Sequence, residues 1–195
     1  MKRIFIIAIV IAFPFISNAQ SSLFNINYSI AIPMGVSQDF IGNTSFSGAS
    51  FEGRSFINDN ISVGGYIGWN LFTETKNKQD YSGTGIDING TQYRYLNMIP
   101  MQVVAHYYLK NFESVNPYIG LGAGATRSLQ RTEIGLIAIS NNDWHLGLSP
   151  EIGVYVPINF NVGLNVSARY DYAVKSNDTI HSNLTFNIGL SFLEY

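Results

Sequence analysis

Residues 184–192, Leu-Thr-Phe-Asn-Ile-Gly-Leu-Ser-Phe, alternate strictly between large apolar side chains and small or polar ones. Successive side chains of a β-strand point to opposite faces. Leu184, Phe186, Ile188, Leu190 and Phe192 therefore form one apolar face, and Thr185, Asn187, Gly189 and Ser191 the other. A helix would repeat its apolar positions at intervals of three and four, so this period of two specifies a strand. That strand needs apolar cover on one side and tolerates polar company on the other.

The start of the chain has a different character. Met1-Lys2-Arg3 is a short basic opening, residues 4–16 are apolar, and Ser17-Asn18-Ala19 puts small residues where a signal peptidase reads. This is the pattern of an export signal, with cleavage expected after Ala19 and a single domain over 20–195. Pro14 and the short apolar run argue against a retained spanning helix. Loss of Lys2 and Arg3 takes the formal charge from −2 to −4. The absence of cysteine excludes a disulfide framework, a thiol catalyst and a lipid-anchoring lipobox. Basic residues are few and scattered, so nucleic acid is not an expected partner.

The same alternation recurs at 24–34, 47–57, 61–72, 93–109, 117–126, 144–156 and 160–172, which with the last segment makes eight strands. Residues 58–60, 110–116 and 157–159 read as short turns, and 35–46, 73–91, 127–143 and 173–181 as long polar loops. Pro100 predicts a bulge or bend, since proline cannot donate to a ladder. Charged residues make up 12% of the chain, against about 25% in ordinary globular proteins. Aromatic residues gather at the strand ends, with Trp69, Tyr93, Tyr95, Trp144, Tyr170 and Tyr172 near the loops and Phe24, Tyr107, Phe160 and Phe192 near the turns. Two aromatic belts, a polar interior and an even strand count describe an all-β fold, an eight-stranded antiparallel transmembrane β-barrel. A lipid-free secreted sandwich or lipocalin-like barrel would carry polar outer faces, which these strands lack.

Phe51-Glu52-Gly53-Arg54, residues 117–124 (Pro-Tyr-Ile-Gly-Leu-Gly-Ala-Gly) and Pro150-Glu151-Ile152-Gly153-Val154 carry a further likeness. With the export signal and the strand pattern, they resemble the outer-membrane β-barrel domain family, small OmpA- and OmpX-like barrels of the kind seen in Bacteroidetes-type bacteria. The resemblance covers essentially the whole mature chain. It implies residence in the Gram-negative outer membrane with both termini periplasmic and the long loops extracellular. It also implies roles as structural proteins, adhesins or narrow, porin-like pores. Outer-membrane lipid and, during biogenesis, the barrel-assembly machinery are the expected partners. Leu193-Glu194-Tyr195 overhangs Phe192, the aromatic on which many such barrels end.

Glu52, Arg54, Glu151 and Arg169 are the candidate site residues, all at inward parity and midway along their strands. An isolated charge in a narrow bore costs several kcal/mol, so two acids and two arginines imply pairing, either as a structural plug or as a gate. Gly120, Gly122 and Gly124 on the fifth strand make room for those long side chains. Ile134, Leu136, Ile137 and Ile139, with Ala138, form an apolar cluster inside an expected loop. That cluster either prolongs the hairpin or serves as a contact patch. His145, with Asp143 and Ser149, is strung along one strand without a second cluster to complete a triad. The three histidines show no metal-ligand spacing, and no cofactor motif is present. The expectation is a non-enzymatic barrel with a structural or surface-interaction role through its outer loops. A narrow channel or transporter for small solutes is the first alternative, and a membrane enzyme the second.

Overall fold

The computed structural model describes residues 21–83, 86–110, 114–176 and 179–194. Its elements are β1 (Ser22–Met34), α1 (Val36–Phe40), β2 (Ser45–Phe56), β3 (Ile61–Gly83), β4 (Ile86–Tyr108), β5 (Asn116–Ile134), β6 (Ile137–Pro157), β7 (Val162–Ser176) and β8 (Thr179–Glu194). Each strand pairs antiparallel with the next, and β8 returns to β1 from Ser22↔Glu194 to Met34↔Ser182, closing an eight-stranded barrel. Hydrocarbon offers no partner to a free strand edge, so a sheet that spans a bilayer has to end on itself. The expected export signal, 1–19, lies outside the described residues.

Burial follows the alternation of the sequence. Phe24, Ile26, Phe51, Ile67, Trp69, Ile188, Leu190 and Phe192 are exposed on the outer surface. Asn25, Asn27, Ser29, Ser50 and Asn187, at the other parity, are buried inside. This is inverted for a water-soluble protein and suits a barrel with a lipid-facing exterior and a polar interior. Trp69, Tyr93, Trp144 and Tyr172 ring one end, and Phe24, Tyr107, Phe160 and Phe192 the other, all exposed.

The turns at the second end are built from asparagine. Asn58 Oδ1 accepts from the backbone N–H groups of Asn60 (3.0 Å) and Ile61 (2.8 Å). Asn159 Oδ1 does the same for Asn161 (3.0 Å) and Val162 (2.8 Å). This side-chain turn occupies 158–161, so β7 starts two residues later than alternation alone predicts.

At the other end the structure departs from expectation. Segments 73–91 and 127–143, read as loops, continue as paired strand out to Gly83↔Ile86 and Ile134↔Ile137, the second being the prolonged hairpin that the apolar cluster at 134–139 allowed, and β7 and β8 pair out to Ser176↔Thr179. Above a membrane both faces of a strand meet water, so the alternation that marks a half-buried strand disappears while the ladder persists. β3 and β4 are 23 residues long and β2 only 12. At about 3.3 Å per residue and a tilt of about 40°, the long strands rise roughly 55 Å, about twice a lipid band of some 25 Å. The rim is therefore lopsided, with a tall wall of β3–β6 facing a low wall of β7, β8, β1 and β2.

The bulge expected at Pro100 does not form. The register between β3 and β4 is the same at Ile67↔Met101 and Asn70↔Met98 on either side of it, and pairing with β5 runs through Pro100↔Thr126. The proline interrupts the ladder on one edge without adding a residue. Register shifts fall instead at Ser29/Ala31, Lys76/Gln79 and Ala173/Ser176.

Candidate functional site

The segment 35–46, expected as a loop, folds over the mouth opposite the short turns. Gly35, at φ 53, makes the turn into α1. On the low wall Ser37 reaches inward, where its Oγ accepts the Ser182 N–H at 3.0 Å and meets His181 Nδ1 at 3.2 Å. On the tall wall Arg94 donates to the Phe40 carbonyl (3.0 Å), Asn43 Nδ2 to the Thr73 carbonyl (3.2 Å) and the Gly42 N–H to Glu74 (3.0 Å). The segment is thus pinned to both walls. Ile41 is fully buried beneath it with Ala31, Phe72, Leu96, Met98 and Ala173, an apolar seal at this upper end of the lumen.

A second apolar seal lies at the turn end, formed by Leu23, Phe56, Tyr108, Tyr118, Tyr155 and Leu193. Its rings touch, with centroids 5.4 Å apart for Phe56–Tyr108 and 5.1 Å for Tyr108–Tyr118. Leu193, the first residue beyond Phe192, pairs with Leu23 and points inward into this seal. Sequence reasoning missed both seals. Their signal was an apolar residue at inward parity near a strand end, as at Phe56, Phe72, Leu96, Met98 and Leu193.

Between the seals, all four predicted charges meet. Arg54 Nη2 donates to Glu52 Oε2 at 2.7 Å and lies 3.6 Å from Glu151 Oε1, while its Nη1 donates to Tyr108 at 2.5 Å. Arg169 donates to Glu151 Oε2 at 3.0 Å and to Gln102 Oε1, and its guanidinium lies 3.9 Å from the centre of the Tyr66 ring. The set is larger than the sequence reading proposed. Asp171, two residues from Arg169 and so on the same face of β7, takes Arg169 Nε at 3.0 Å. Asp171 also accepts from Ser149 (2.8 Å), Thr185 (3.0 Å) and Asn183 (3.2 Å). The expected balance of two acids and two arginines thus becomes three carboxylates against two guanidinium groups. Space for these groups comes from β5: a Cβ on Gly122 would lie 2.5 Å from both Arg169 Nη2 and Gln102 Oε1, and one on Gly120 would strike the His106 ring.

The apolar cluster expected on the third loop divides. Ile134 is buried, Leu136 stands free at the tip of the β5–β6 hairpin, Ile137 is exposed and Ile139 is half-buried. His145 does not join Ser149. Its Nδ1 faces the Val174 carbonyl at 3.1 Å and therefore carries the proton, leaving Nε2 to accept from Ser128 Oγ at 2.9 Å. That dyad is buried, and the group orienting its histidine is a backbone carbonyl.

The amino-acid sequence matches the family described as outer membrane protein beta-barrel domain over residues 6–192. No curated protein matches the chain. Among solved structures, Ail, the attachment invasion locus protein of Yersinia pestis, superposes with a TM-score of 0.56 at 12% identity, over 89% of this chain and 98% of that one. The N-terminal β-barrel domain of Pseudomonas aeruginosa OprF gives 0.53 at 10% identity, over 89% and 97%. Neisserial surface protein A gives 0.51 at 17%, over 89% and 94%. At these identities the likeness is one of fold. A closed barrel with an apolar exterior and a match across nearly its whole length together place the chain in the outer membrane protein beta-barrel domain family, and in the outer membrane.

Proposed function

We infer that the protein is a non-enzymatic surface-interaction barrel. In this reading the export signal is removed after Ala19, both chain ends face the periplasm, and the tall wall projects from the cell. The observation that carries it is the lopsided rim. β3 pairs with β2 only as far as Ser47↔Leu71, and β6 pairs with β7 only from Gly147↔Ala173. The segment 35–46 covers the start of the β3 edge at Thr73 and Glu74, leaving the upper parts of β3 and β6, among the described residues, as strand edges without a paired strand. Natural proteins generally shield such edges, and a partner polypeptide can extend one through main-chain hydrogen bonds. Leu136 adds an apolar contact at the tip.

The alternatives find less support. Two apolar seals and a cross-linked set of charges argue against a steady channel. The histidine of the Ser128–His145 dyad faces a backbone carbonyl at Nδ1, and both residues are buried, which argues against hydrolysis. Ail is by its name an attachment protein and has been solved with a heparin analogue, so heparin-coated and protein-coated surfaces are the first probes. The test compares attachment of cells displaying the unaltered chain with cells displaying a variant lacking 131–140, rejoined through an Asn-Gly turn. At equal surface levels, attachment should fall to that of cells without the protein. Equal attachment by both forms refutes the reading.

A further inference from the structure

Closure of the barrel brings together three ligating side chains from β2, β4 and β6 that no linear spacing displays. The ligand atoms of Glu52, His106 and Glu151 all lie within 4.8 Å of one another. His106 Nε2 stands 3.5 Å from Glu52 Oε1 and 3.7 Å from Glu151 Oε2. Metal–ligand bonds of about 2.0–2.1 Å in a tetrahedron set neighbouring ligand atoms roughly 3.4 Å apart, so these separations already suit one ion. His106 is 3% exposed, and among the described residues neither of its ring nitrogens, nor Glu52 Oε1, has a partner in hydrogen-bonding geometry. Buried polar atoms are rarely left so, because each unmade bond costs about 1–3 kcal/mol. Around them, among the described residues, stand the carboxylates of Glu52, Glu151 and Asp171 and two guanidinium groups, Arg54 and Arg169.

We propose that Glu52, His106 and Glu151 form a binding site for a divalent first-row metal ion, with zinc as the working probe. One imidazole with two carboxylates is a donor set that zinc accepts. The surrounding contacts hold both carboxylates in place, as the outer layer of a metal site does. Arg54 holds Glu52 by Oε2 at 2.7 Å and leaves Oε1 to the ion. Tyr118 donates to Glu151 Oε1 at 2.9 Å and Arg169 to Oε2 at 3.0 Å, fixing that carboxylate. The His106 ring is set edge-on against Tyr118, centroids 5.4 Å apart. On β4, His106 follows the upper-seal residues Leu96 and Met98 and precedes Tyr108 of the lower seal, so the ion enters while the barrel closes and leaves slowly afterwards.

The experiment refolds the untagged membrane form into detergent with zinc, removes excess metal by gel filtration and counts zinc by mass spectrometry. About one zinc per barrel is expected in the unaltered protein, and background levels in His106→Gln and Glu52→Gln, each shown to be folded by its heat-modifiable gel mobility. A double variant of His145 and His181 should retain the zinc. Refolding with cobalt(II) is the second reading, independent of variant folding. Strong d–d absorption of a low-coordinate ion is expected, resistant to chelator added after folding. Background zinc in the unaltered protein, zinc that persists without His106, zinc that leaves with His145 and His181, or cobalt lacking those bands each overturns the site.

Discussion

Replacing Arg169 with alanine tests the lumen where its contacts are densest. The side chain is fully buried and serves Glu151 at 3.0 Å, Asp171 at 3.0 Å, Gln102 and the face of Tyr66. Removing one partner of a buried ion pair costs about 3–5 kcal/mol, because the opposite charge stays behind. Here the survivors keep some support: Glu151 retains Tyr118 at 2.9 Å and Arg54 at 3.6 Å. Asp171 retains Ser149 at 2.8 Å and Thr185 at 3.0 Å. The loss therefore belongs at the lower end, about 3 kcal/mol. For a chain of this size that is roughly 6–12 °C in the unfolding midpoint. Urea unfolding in lipid vesicles measures it directly, provided the denaturant slope is unchanged. The matching double variant, Arg169→Ala with Asp171→Asn, should cost less than the two single losses added together. A loss below about 1 kcal/mol, or simple additivity, would show the centre to be wet and loosely coupled.

Ile188→Arg places a cation in the middle of the lipid face of β8, where it costs about 2–4 kcal/mol; membrane-inserted protein should drop in fractionation, and normal levels contradict the lipid-facing assignment. A peptide tag inserted at Leu136 should be labelled on intact cells, and one at Asp59 only after the outer membrane is permeabilised; labelling of Asp59 on intact cells inverts the topology. In planar bilayers the purified protein should pass little steady current, and large stable openings would restore the channel reading.

The fold was legible because a lipid-facing strand has to alternate, as residues 184–192 do. Glu52, Arg54, Glu151 and Arg169 were legible for the same reason, since charge at inward parity has nowhere to go but a partner. Asp171 was within reach of that logic, lying two residues from Arg169 on one face of a strand. The site built by His106 was not, because its partners sit on β2 and β6 and meet through curvature alone. The projecting hairpins were hidden because strands bathed in water on both faces need no alternation. α1 was hidden because five residues held by contacts to two walls leave no periodic trace.

Among the described residues, no ion pair crosses the seam between β1 and β8. Its side-chain bonds are neutral: Ser29 to Asn187 at 2.6 Å and Ser191 to Asn25 at 2.6 Å. The charged groups sit on β2, β4, β6 and β7, where they meet without any contribution from β1. When the chain ends finally join, only amides and hydroxyls surrender their hydration, and the desolvation of full charges does not fall on that step. The terminal strands can then zip a curved, already neutralised sheet shut, with chain entropy the main resistance left to overcome.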